Sequence, residues 1–455
     1  MKHKTIPTFI INLKKRTDRK AYILKEFSGR DEFNVNVVEA CEHEIGAIGL
    51  WETIKHILQN LVNEHDDYVL ICEDDHQFTK RYSTKLMYDC IALAMKNDAD
   101  VMSGGVSWLS STIKVSKNLV WVEYFNGTQF IVIFKPFFKT IIEASFNASD
   151  AADHKISDLS DKILFVHPFI SIQKDFGYSD ATVNNNQQGR VSKLFKETIK
   201  RFLAYKRVEK HYKKLQEEIN AESRQESYDN IVIPTYIINL KERTERLEHI
   251  RKQFEGKPEF DITIVEACKH PVGAYGLWLS IRKIITMAME NDDDVIIICE
   301  DDHQFTTHYS KTYLLSNIIE AHAQGATYLS GGTGRFGHAI PITENRYWVN
   351  SCLSTQFIVL YKKFFLQILD EPFDESVVAD LLYSEMTSNK MVLYPFISTQ
   401  YDFGYSDVTD LHNQDKNAVS RLFSESSNKF KVIQTTYLKY NAVKKRTKAQ
   451  SKYLI

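Results

Sequence analysis

The sequence has little proline, glycine and cysteine, and it has no long apolar segment. Its 455 residues include 9 Pro, 17 Gly and 6 Cys, which excludes a collagen-like chain and a disulfide-rich scaffold. The cysteines form no CxxC pair, and Cys72 and Cys299 lie within apolar runs, so buried free thiols are expected. No segment approaches the roughly 18 apolar residues of a membrane span. With no secretory signal visible, the sequence predicts a cytoplasmic protein.

Two further features of the sequence argue against phosphate-transfer enzymes and against nucleic-acid-binding proteins. No P-loop of the form GxxxxGK[ST] occurs, which weakens a nucleotidyl- or phosphoryl-transfer hypothesis. The formal net charge is -2, and the basic residues cluster after residue 190 and near the C-terminus rather than within a recognised nucleic-acid module. Nucleic acid is therefore not expected as a partner. The basic segments leave open a peripheral contact with an anionic membrane at its inner face.

The sequence does contain a long internal duplication. "ICEDDHQF" occurs at residues 71–78 and again, unchanged, at 298–305, an offset of 227. "VEAC", "TQFIV", "PFIS" and "DFGYSD" recur with the same offset. This period greatly exceeds the roughly 20 to 50 residues of solenoid repeats, so it predicts two complete domains. The predicted boundaries are a first domain at 1–187, a basic helical linker at 188–229, a second domain at 230–416 and a helical basic tail at 417–455.

Each copy alternates strand-like and helix-like segments. "TFIINL", "NVNVVEA" and "YVLIC" are typical of strands, while "RTDRKAYILKEF" and "GLWETIKHILQNLV" have helical spacing. This alternation predicts an α/β fold with a mostly parallel sheet. In such sheets ligands bind beyond the carboxyl ends of the strands, and the EDD triplets fall at that edge.

The acidic triplets indicate a metal site. Three consecutive carboxylates repel one another, and a divalent cation relieves that repulsion. Mg²⁺ and Mn²⁺ prefer oxygen ligands and commonly bind one or two carboxylates together with substrate phosphates. A solvated acidic turn is the simpler interpretation of a single EDD. The histidines that follow, His76 and His303, are either further ligands or ordinary polar residues.

The ordered set of motifs resembles glycosyltransferase family 25. The resemblance rests on "INLKKRTDR" and "INLKERTER", the apolar run into EDD, "GTQFIVIF" and "STQFIVLY", and the late Ser-Asp of "GYSD". It covers residues from about 5 to 185 and from about 232 to 412. "GAIGLW" and "GAYGLW" depart from the Ser-His pair that the family often has. The resemblance implies two tandem GT-A-like (Rossmann-like) glycosyltransferase domains joined by a helical linker.

The resemblance also implies roles for particular residues. Carboxylates in the DXD role would hold Mn²⁺ or Mg²⁺ together with the diphosphate. The opening strand and the basic turn would lie beside the nucleotide of a UDP-sugar. The implied metal ligands are Glu73, Asp75, Glu300 and Asp302. The implied nucleotide-sugar-binding residues are Asn12, Arg16, Arg19, Asp74, Asn239, Arg243, Arg246 and Asp301.

An inverting transfer also needs a base that accepts the proton of the acceptor hydroxyl. Asp153 and Asp380 share the repeat offset and resemble the family's aspartate at the start of a helix, although a helix N-cap explains an Asp there equally well. Asp180 and Asp407, in "YSDAT" and "YSDVT", are the competing candidates for catalysis.

The resulting hypothesis is a bifunctional, metal-dependent hexosyltransferase. Both copies retain every motif, so two related inverting sites would move sugars from nucleotide-sugar donors to a glycan, lipooligosaccharide or glycoprotein acceptor. The alternatives are one active half with an acceptor-binding half, and a carbohydrate-binding scaffold without turnover. Three aligned pairs differ at positions expected to lie near the acceptor: Trp108 and Arg335, Ser107 and Gly334, His167 and Tyr394.

Overall fold

The chain folds into two compact units, Met1–Tyr205 and Lys206–Ile455. The computed structural model describes residues 4–177, 187, 189–222, 228–404 and 417–452, with the side chains of its two long helices described as far as residues 220 and 442. The division between the units falls inside the first long helix, so each half of that helix is described below with its own unit.

The two units repeat the same succession of strands. In the first they are β1 Ile6–Asn12, β2 Phe33–Glu39, β3 Tyr68–Glu73, β4 His76–Phe78, β5 Val101–Ser103, β6 Trp108–Leu109, β7 Thr112–Lys114, β8 Leu119–Val122, β9 Phe125–Asn126, β10 Phe130–Phe134, β11 Ile163–Val166 and β12 Ser171–Gln173. In the second they are β13 Ile233–Asn239, β14 Phe260–Glu266, β15 Val295–Glu300, β16 His303–Phe305, β17 Tyr328–Ser330, β18 Arg335–Phe336, β19 Ala339–Pro341, β20 Arg346–Val349, β21 Cys352–Leu353, β22 Phe357–Tyr361, β23 Lys390–Leu393 and β24 Ser398–Gln400.

The helices also correspond between the units. The first has α1 Thr17–Phe27, α2 Gly46–Asn60, α3 Thr84–Lys96, α4 Lys135–Glu143 and α5 Ala152–Leu159, followed by the long helix α6 Arg190–Glu222. The second has α7 Thr244–Phe254, α8 Gly273–Glu290, α9 Lys311–Ala323, a 3-10 turn Lys362–Phe364, α10 Phe365–Asp370, α11 Ala379–Met386 and the long helix α12 Ala418–Lys452. The strands and helices expected from the first motifs of each copy are confirmed.

Each unit is built on an eight-stranded mixed sheet. The order is β2-β1-β3-β10-β5-β11-β8-β7 in the first and β14-β13-β15-β22-β17-β23-β20-β19 in the second. β1 is parallel to β2 and β3, but β10 lies antiparallel between β3 and β5. The prediction of a mostly parallel sheet was therefore wrong, because the "TQFIV" strand enters the centre of the sheet in the reverse direction. The α/β class is confirmed.

The central strands are apolar because the sheet is covered on both faces. Val69, Leu70, Ile71 and Cys72 of β3 are all buried. Consecutive side chains of a strand point to opposite faces, so four buried residues in a row require packing on each side. On one face Trp51 of α2 is completely buried.

Paired glycines let two backbone segments approach closely beside the sheet. A Cβ on Gly105 would lie 2.1 Å from the carbonyl oxygen of Ser171, and one on Gly332 would lie 2.1 Å from that of Ser398. The Ser-Gly-Gly motif, residues 103–105 and 330–332, therefore permits close contact with the segment around β12 in the first unit and β24 in the second. Gln129 completes the contact, since its Nε2 donates to the Gly105 carbonyl at 2.7 Å.

The long helices begin against the domain that precedes them. Val191, Phe195 and Phe202 of α6 are buried in the first unit, and Phe202 packs edge-on against Phe165. In the second unit the first half of α12 buries Phe423 and Phe430 in the same manner. In the described part of the chain, no helix combines the length and apolar character needed to cross a membrane.

The second half of α6 belongs to the second unit and contacts a buried arginine there. Arg346 is fully buried and donates to Asn317 Oδ1 at 2.7 Å and to Gln216 Oε1 at 3.3 Å, and it pairs with Glu320 at 2.9 Å. Gln216 lies on α6. The first unit has Leu119 at the position of Arg346, so this polar contact distinguishes the two copies.

Substitution of Gly105 tests the close approach of the backbone. Gly105→Ala should lower the free energy of unfolding of the first unit by about 3 kcal/mol, because the new methyl group overlaps a backbone atom that cannot move aside. Urea denaturation measures this. Gly29→Ala is the control, since Gly29 has φ +75° and no heavy atom within 4 Å. It should lose only about 1 kcal/mol from backbone strain, and equal losses in the two variants would contradict the interpretation.

Candidate functional site

The site is assembled where neighbouring parallel strands end. Ile11 of β1 pairs with Glu73 of β3, so Asn12 and the acidic triplet reach the same edge of the sheet. Asn12 Nδ2 donates to Asp74 Oδ2 at 3.0 Å and to the Arg16 carbonyl at 3.2 Å. One side chain thus joins the strand end, the triplet and the turn that leads into α1.

The middle carboxylate of the triplet holds the two arginines. Asp74 is 4% exposed, and its Oδ1 accepts from Arg19 Nη1 at 3.2 Å. Its Oδ2 lies 3.6 Å from Arg16 Nη1. Buried charges of this kind are stable only when paired and hydrogen-bonded, which fixes Arg16 and Arg19 at the sheet edge. Both oxygens of Asp74 are engaged by protein, so the geometry favours a positioning role, and direct ligand contact stays a prediction.

The second copy repeats the contacts of the asparagine and of the second arginine. Asp301 Oδ2 accepts from Asn239 Nδ2 at 2.9 Å, and Asp301 Oδ1 accepts from Arg246 Nη1 at 3.0 Å. Arg243 precedes α7 with the same backbone conformation that Arg16 has before α1. All eight predicted nucleotide-sugar-binding residues are therefore brought together, four in each unit.

The first carboxylate of the triplet is held by the strand that runs antiparallel to it. Thr128 Oγ1 donates to Glu73 Oε1 at 2.6 Å, and Thr355 Oγ1 donates to Glu300 Oε1 at 2.5 Å. Burial, followed by repulsion from Asp75, raises the pKa of Glu73 to about 8. Burial and Asp302 likewise raise the pKa of Glu300 to about 8.

The third carboxylate has an oxygen that the described residues leave unsatisfied. Asp75 Oδ2 lies 3.9 Å from Arg19 Nη1 and accepts from Gln173 Nε2 at 3.5 Å. Its Oδ1 is buried without a hydrogen-bond partner among the described residues, as is Oδ1 of Asp302. Burial and the neighbouring acid raise the pKa of Asp75 to about 6 and that of Asp302 to about 7.

These carboxylates suit a cation that takes few protein ligands. Within the described ranges, no group of three or more His, Cys, Asp or Glu side chains is arranged to hold a metal. A pair of crowded carboxylates with an unsatisfied buried oxygen nevertheless fits Mg²⁺ or Mn²⁺, which often bind one or two carboxylates and complete their coordination with water and substrate phosphate. Glu73 with Asp75, and Glu300 with Asp302, are the residues that fit.

A further aspartate from a following helix lies near each pair. The helix α5 begins at Ala152 and its N-cap is Ala151, so Asp153 lies in the first turn and is not the N-cap. Asp153 Oδ2 instead accepts the Gly127 N–H at 2.8 Å, and its charge contributes to raising the Glu73 pKa. In the second unit Asp380 Oδ2 accepts the Ser354 N–H at 2.9 Å. Burial raises the pKa of Asp380.

Each constellation opens into a cavity. The first measures about 670 Å³ and is lined by Arg16, Arg19 and the three acids of its triplet. The second measures about 800 Å³ and also includes Thr355, Asp380 and Asp402. Cavities of this size accommodate a nucleotide-sized ligand. The other catalytic candidates, Asp180 and Asp407, lie outside the described residues.

Several residues at the site were not expected from the sequence. The ring centroid of Phe176 lies 4.6 Å from Cζ of Arg19, and that of Phe403 lies 4.7 Å from Cζ of Arg246, so each guanidinium lies over an aromatic ring. Both are in "DFGYSD", whose recurrence was the available signal. Thr128 and Gln173 also contact the acidic triplet, although only the "TQF" motif pointed to Thr128.

The histidines after the triplets are part of the packing. His76 is completely buried, its ring stacks on Phe130 at 4.6 Å, and its Nδ1 hydrogen-bonds Ser171 Oγ at 2.8 Å. Burial holds its pKa well below the usual range. His303 has the same surroundings. Neither ring is placed as a ligand.

Of the three pairs expected near the acceptor, two contact the long helices instead. His167 packs on Phe202 of α6, and Tyr394 stacks on Phe430 of α12. The Ser107 carbonyl accepts from Thr198 Oγ1 of α6. The remaining pair, Trp108 and Arg335, is exposed.

Removal of the Asp74 carboxylate tests its role as an anchor. Asp74→Ala should destabilise the first unit by about 3 kcal/mol, because the buried guanidinium of Arg19 loses a hydrogen-bonded carboxylate partner. Asp18→Ala, an exposed acid in the first turn of α1, is the control and should change stability little. Thermal or urea unfolding measures both, and a loss below about 1 kcal/mol for Asp74→Ala would contradict the anchoring role.

The raised pKa of Glu73 predicts a pH-dependent stability. Folding raises this pKa from 4.5 to about 8. The contribution of Glu73 to the free energy of unfolding is therefore complete below pH 4.5 and is lost as the pH rises to about 8. In EDTA, the urea midpoint of the first unit should fall between pH 5.5 and 8, and Glu73→Gln should reduce that fall. The control Glu64→Gln, at an exposed position, should behave as the parent. An unchanged pH dependence in Glu73→Gln would rule out this origin.

Comparisons with known proteins give no family. No protein-family model and no curated protein matches the sequence. Among solved structures, the A197 protein from STIV is similar at 13% identity and a TM-score of 0.28, over 39% of this chain and 87% of A197. Apo UDP-glucose pyrophosphorylase is similar at 8% identity and a TM-score of 0.27, over 40% of this chain and 78% of its own. TM-scores this low establish neither a shared fold nor a shared function.

Proposed function

We propose that the chain is a glycosyltransferase with two metal-dependent sites, one in each unit. The observation that carries this proposal is the pair of crowded, buried carboxylates beside anchored arginines, at the edge of a sheet and at the mouth of a nucleotide-sized cavity. The hydrogen bonds of the asparagine, of the second arginine and of the threonine with the acidic triplet occur in both units. The motif resemblance to glycosyltransferase family 25 supports a GT-A-like domain and an inverting reaction.

Each part of the site has a role in this proposal. Glu73 and Asp75 hold Mn²⁺ or Mg²⁺, as do Glu300 and Asp302. The bound cation supplies stabilisation of the negative charge on a departing diphosphate. Arg16 and Arg19 line the same cavity and face the diphosphate of the donor, for which guanidinium groups provide well-matched donors. A UDP-sugar is the proposed donor.

Asp153 and Asp380 are the proposed bases. The acceptor hydroxyl oxygen forms a bond to the anomeric carbon of the donor sugar as the bond from that carbon to the phosphate oxygen breaks. The aspartate accepts the hydroxyl proton, and the nucleoside diphosphate leaves with the bonding electron pair. The backbone N–H groups of Gly127 and His154 hold the Asp153 carboxylate in place. Such a base typically contributes about 10² to 10⁴ in rate.

Both units are proposed to be active because both retain the acidic triplet with its asparagine, arginine and threonine contacts. A unit that served only as an acceptor-binding scaffold would not need a crowded carboxylate pair with raised pKa values, since that crowding opposes folding at neutral pH. The proposed acceptor is a glycan, a lipid-linked glycan or a glycoprotein. The basic residues of α12 are consistent with a peripheral approach to an anionic membrane surface.

Hydrolysis of nucleotide sugars tests the proposal without knowledge of the acceptor. The parent, Asp75→Asn, Asp302→Asn and the double variant are incubated with a donor panel and Mn²⁺ or Mg²⁺. Each single variant should lose the turnover of one unit, and the double variant should lose all of it. In the Asp302→Asn background, adding Asp153→Asn should slow the remaining turnover about 10²- to 10⁴-fold, as expected for removal of a base.

The control is Asp18→Asn, which removes an exposed carboxylate of the same unit and should leave turnover unchanged. Loss of all activity in one single variant alone would show that only that unit is catalytic. No turnover of any donor by the parent, together with no metal-dependent nucleotide binding, would overturn the proposal and leave a carbohydrate-binding scaffold.

A further inference from the structure

An exposed tryptophan lies next to the proposed base of the first unit. Trp108 is 37% exposed, whereas Trp51, Trp121, Trp278 and Trp348 are at most 6% exposed. A large aromatic face left in solvent is unusual in a chain that buries its other tryptophans, and such faces concentrate at binding sites. The residues around Trp108 therefore determine which ligand this aromatic face suits.

The position of Trp108 is fixed at the base of a hairpin formed by residues 108–126, in which β6 pairs with β9 and β7 pairs with β8. The same hairpin base also positions Asp153. Trp108 of β6 pairs with Asn126 of β9, and the next residue, Gly127, donates its N–H to Asp153. Asn126 Oδ1 lies 3.1 Å from Nε2 of His154, whose ring centroid is 6.4 Å from that of Trp108. The tryptophan face and the proposed base thus share one rigid frame.

Tyr124 extends this aromatic surface. Its ring centroid lies 6.2 Å from that of His154, and its hydroxyl is bonded to Asp158 on α5. Together, Trp108, Tyr124 and His154 form a surface that we call the aromatic platform. It combines apolar ring faces with a few polar groups, which is the composition that suits the CH-rich face of a sugar ring.

The second unit keeps the hairpin and replaces the platform. β18 pairs with β21, and Ser354 N–H bonds Asp380, so the backbone frame is retained. At the platform positions the second unit has Arg335, Ser351 and Leu381. Arg335 is exposed, and its side chain makes no ion pair with any residue that the structure describes. A cation thus stands where the first unit has an aromatic face.

We infer that this hairpin is the acceptor subsite and that it gives the two units different acceptors. The aromatic platform binds the apolar face of a neutral pyranose, while Arg335 binds an acceptor that carries an anionic group. A guanidinium recognises carboxylate and phosphate by paired, charge-assisted hydrogen bonds, so an acidic sugar and a phosphorylated glycan share the chemistry required. This inference rests on the proposed function, because it places the acceptor hydroxyl beside the base.

Single-site enzymes separate the two subsites. Asp302→Asn leaves the first unit active and Asp75→Asn leaves the second. Each is given three acceptors built on one disaccharide methyl glycoside: the neutral compound, its uronic acid form and its phosphate monoester. Release of nucleoside diphosphate above the rate of donor hydrolysis measures transfer. The first unit should prefer the neutral acceptor and the second an anionic one, each by about 10-fold or more.

Substitutions within the hairpin identify the residues. In the first unit, Trp108→Ala should raise the acceptor KM about 10-fold with little change in kcat, and Trp108→Phe should restore part of the affinity. In the second unit, Arg335→Ala should abolish the preference for the anionic acceptors. The anionic acceptor that the second unit uses better, uronic acid or phosphate monoester, identifies the anionic group that Arg335 binds. Met95→Ala, an exposed apolar side chain on α3, is the matched control and should leave the acceptor KM unchanged.

The outcomes distinguish this inference from the function on which it rests. If neither single-site enzyme hydrolyses any donor, the proposed function fails. If donors are hydrolysed but no disaccharide is used, both units prefer the same acceptor, or Trp108→Ala leaves the acceptor KM within twofold of the parent, the proposed function stands and the acceptor subsite is wrong.

Discussion

Each site depends on one buried carboxylate that accepts hydrogen bonds from an amide and from a guanidinium group, Asp74 in the first unit and Asp301 in the second. The Asp74 carboxylate would be unstable in this buried position without the positive charges of Arg16 and Arg19. Because Asn12 ends β1 and Arg16 precedes α1, this single interaction also sets where the first strand stops and the first helix starts. The flanking acids, Glu73 and Asp75, are thereby left at the cavity, where their mutual repulsion is not neutralised by protein alone.

Much of this architecture could be predicted from the sequence, and the parts that could not have physical reasons. Periodicity and the 227-residue repeat located the first strands and helices and placed the EDD triplets at a strand end. The direction of β10 was missed, because a fully apolar strand has the same pattern whether it runs parallel or antiparallel. Adjacent carboxylates also look equivalent in a sequence, so the inward turn of Asp74 appeared only in the structure.

The alternatives weighed for single residues depended on contacts from distant parts of the chain. Asp153 was expected to be either a base or an N-cap; the N-cap of α5 is Ala151, and the Asp153 carboxylate is held instead by the backbone of Gly127, 26 residues earlier. His76 was a possible ligand because it follows three consecutive acids, yet aromatic rings from α1 and β10 enclose it. His167 and Tyr394 each pack on an aromatic ring of a different long helix, Phe202 of α6 and Phe430 of α12.

Duplication has kept the contacts around the acidic triplets, while the two units diverged in the interior at Leu119 and Arg346 and at the surface at Trp108 and Arg335. The unequal distribution of tryptophan has an optical consequence. Trp108 is the accessible indole in the chain, and its counterpart in the second unit does not fluoresce, so dissolved quenchers such as iodide act mainly on the first unit. The chain therefore carries an intrinsic reporter of events at one copy, which can be read in the unlabelled, full-length protein because the tryptophans of the other copy are buried away from the quencher.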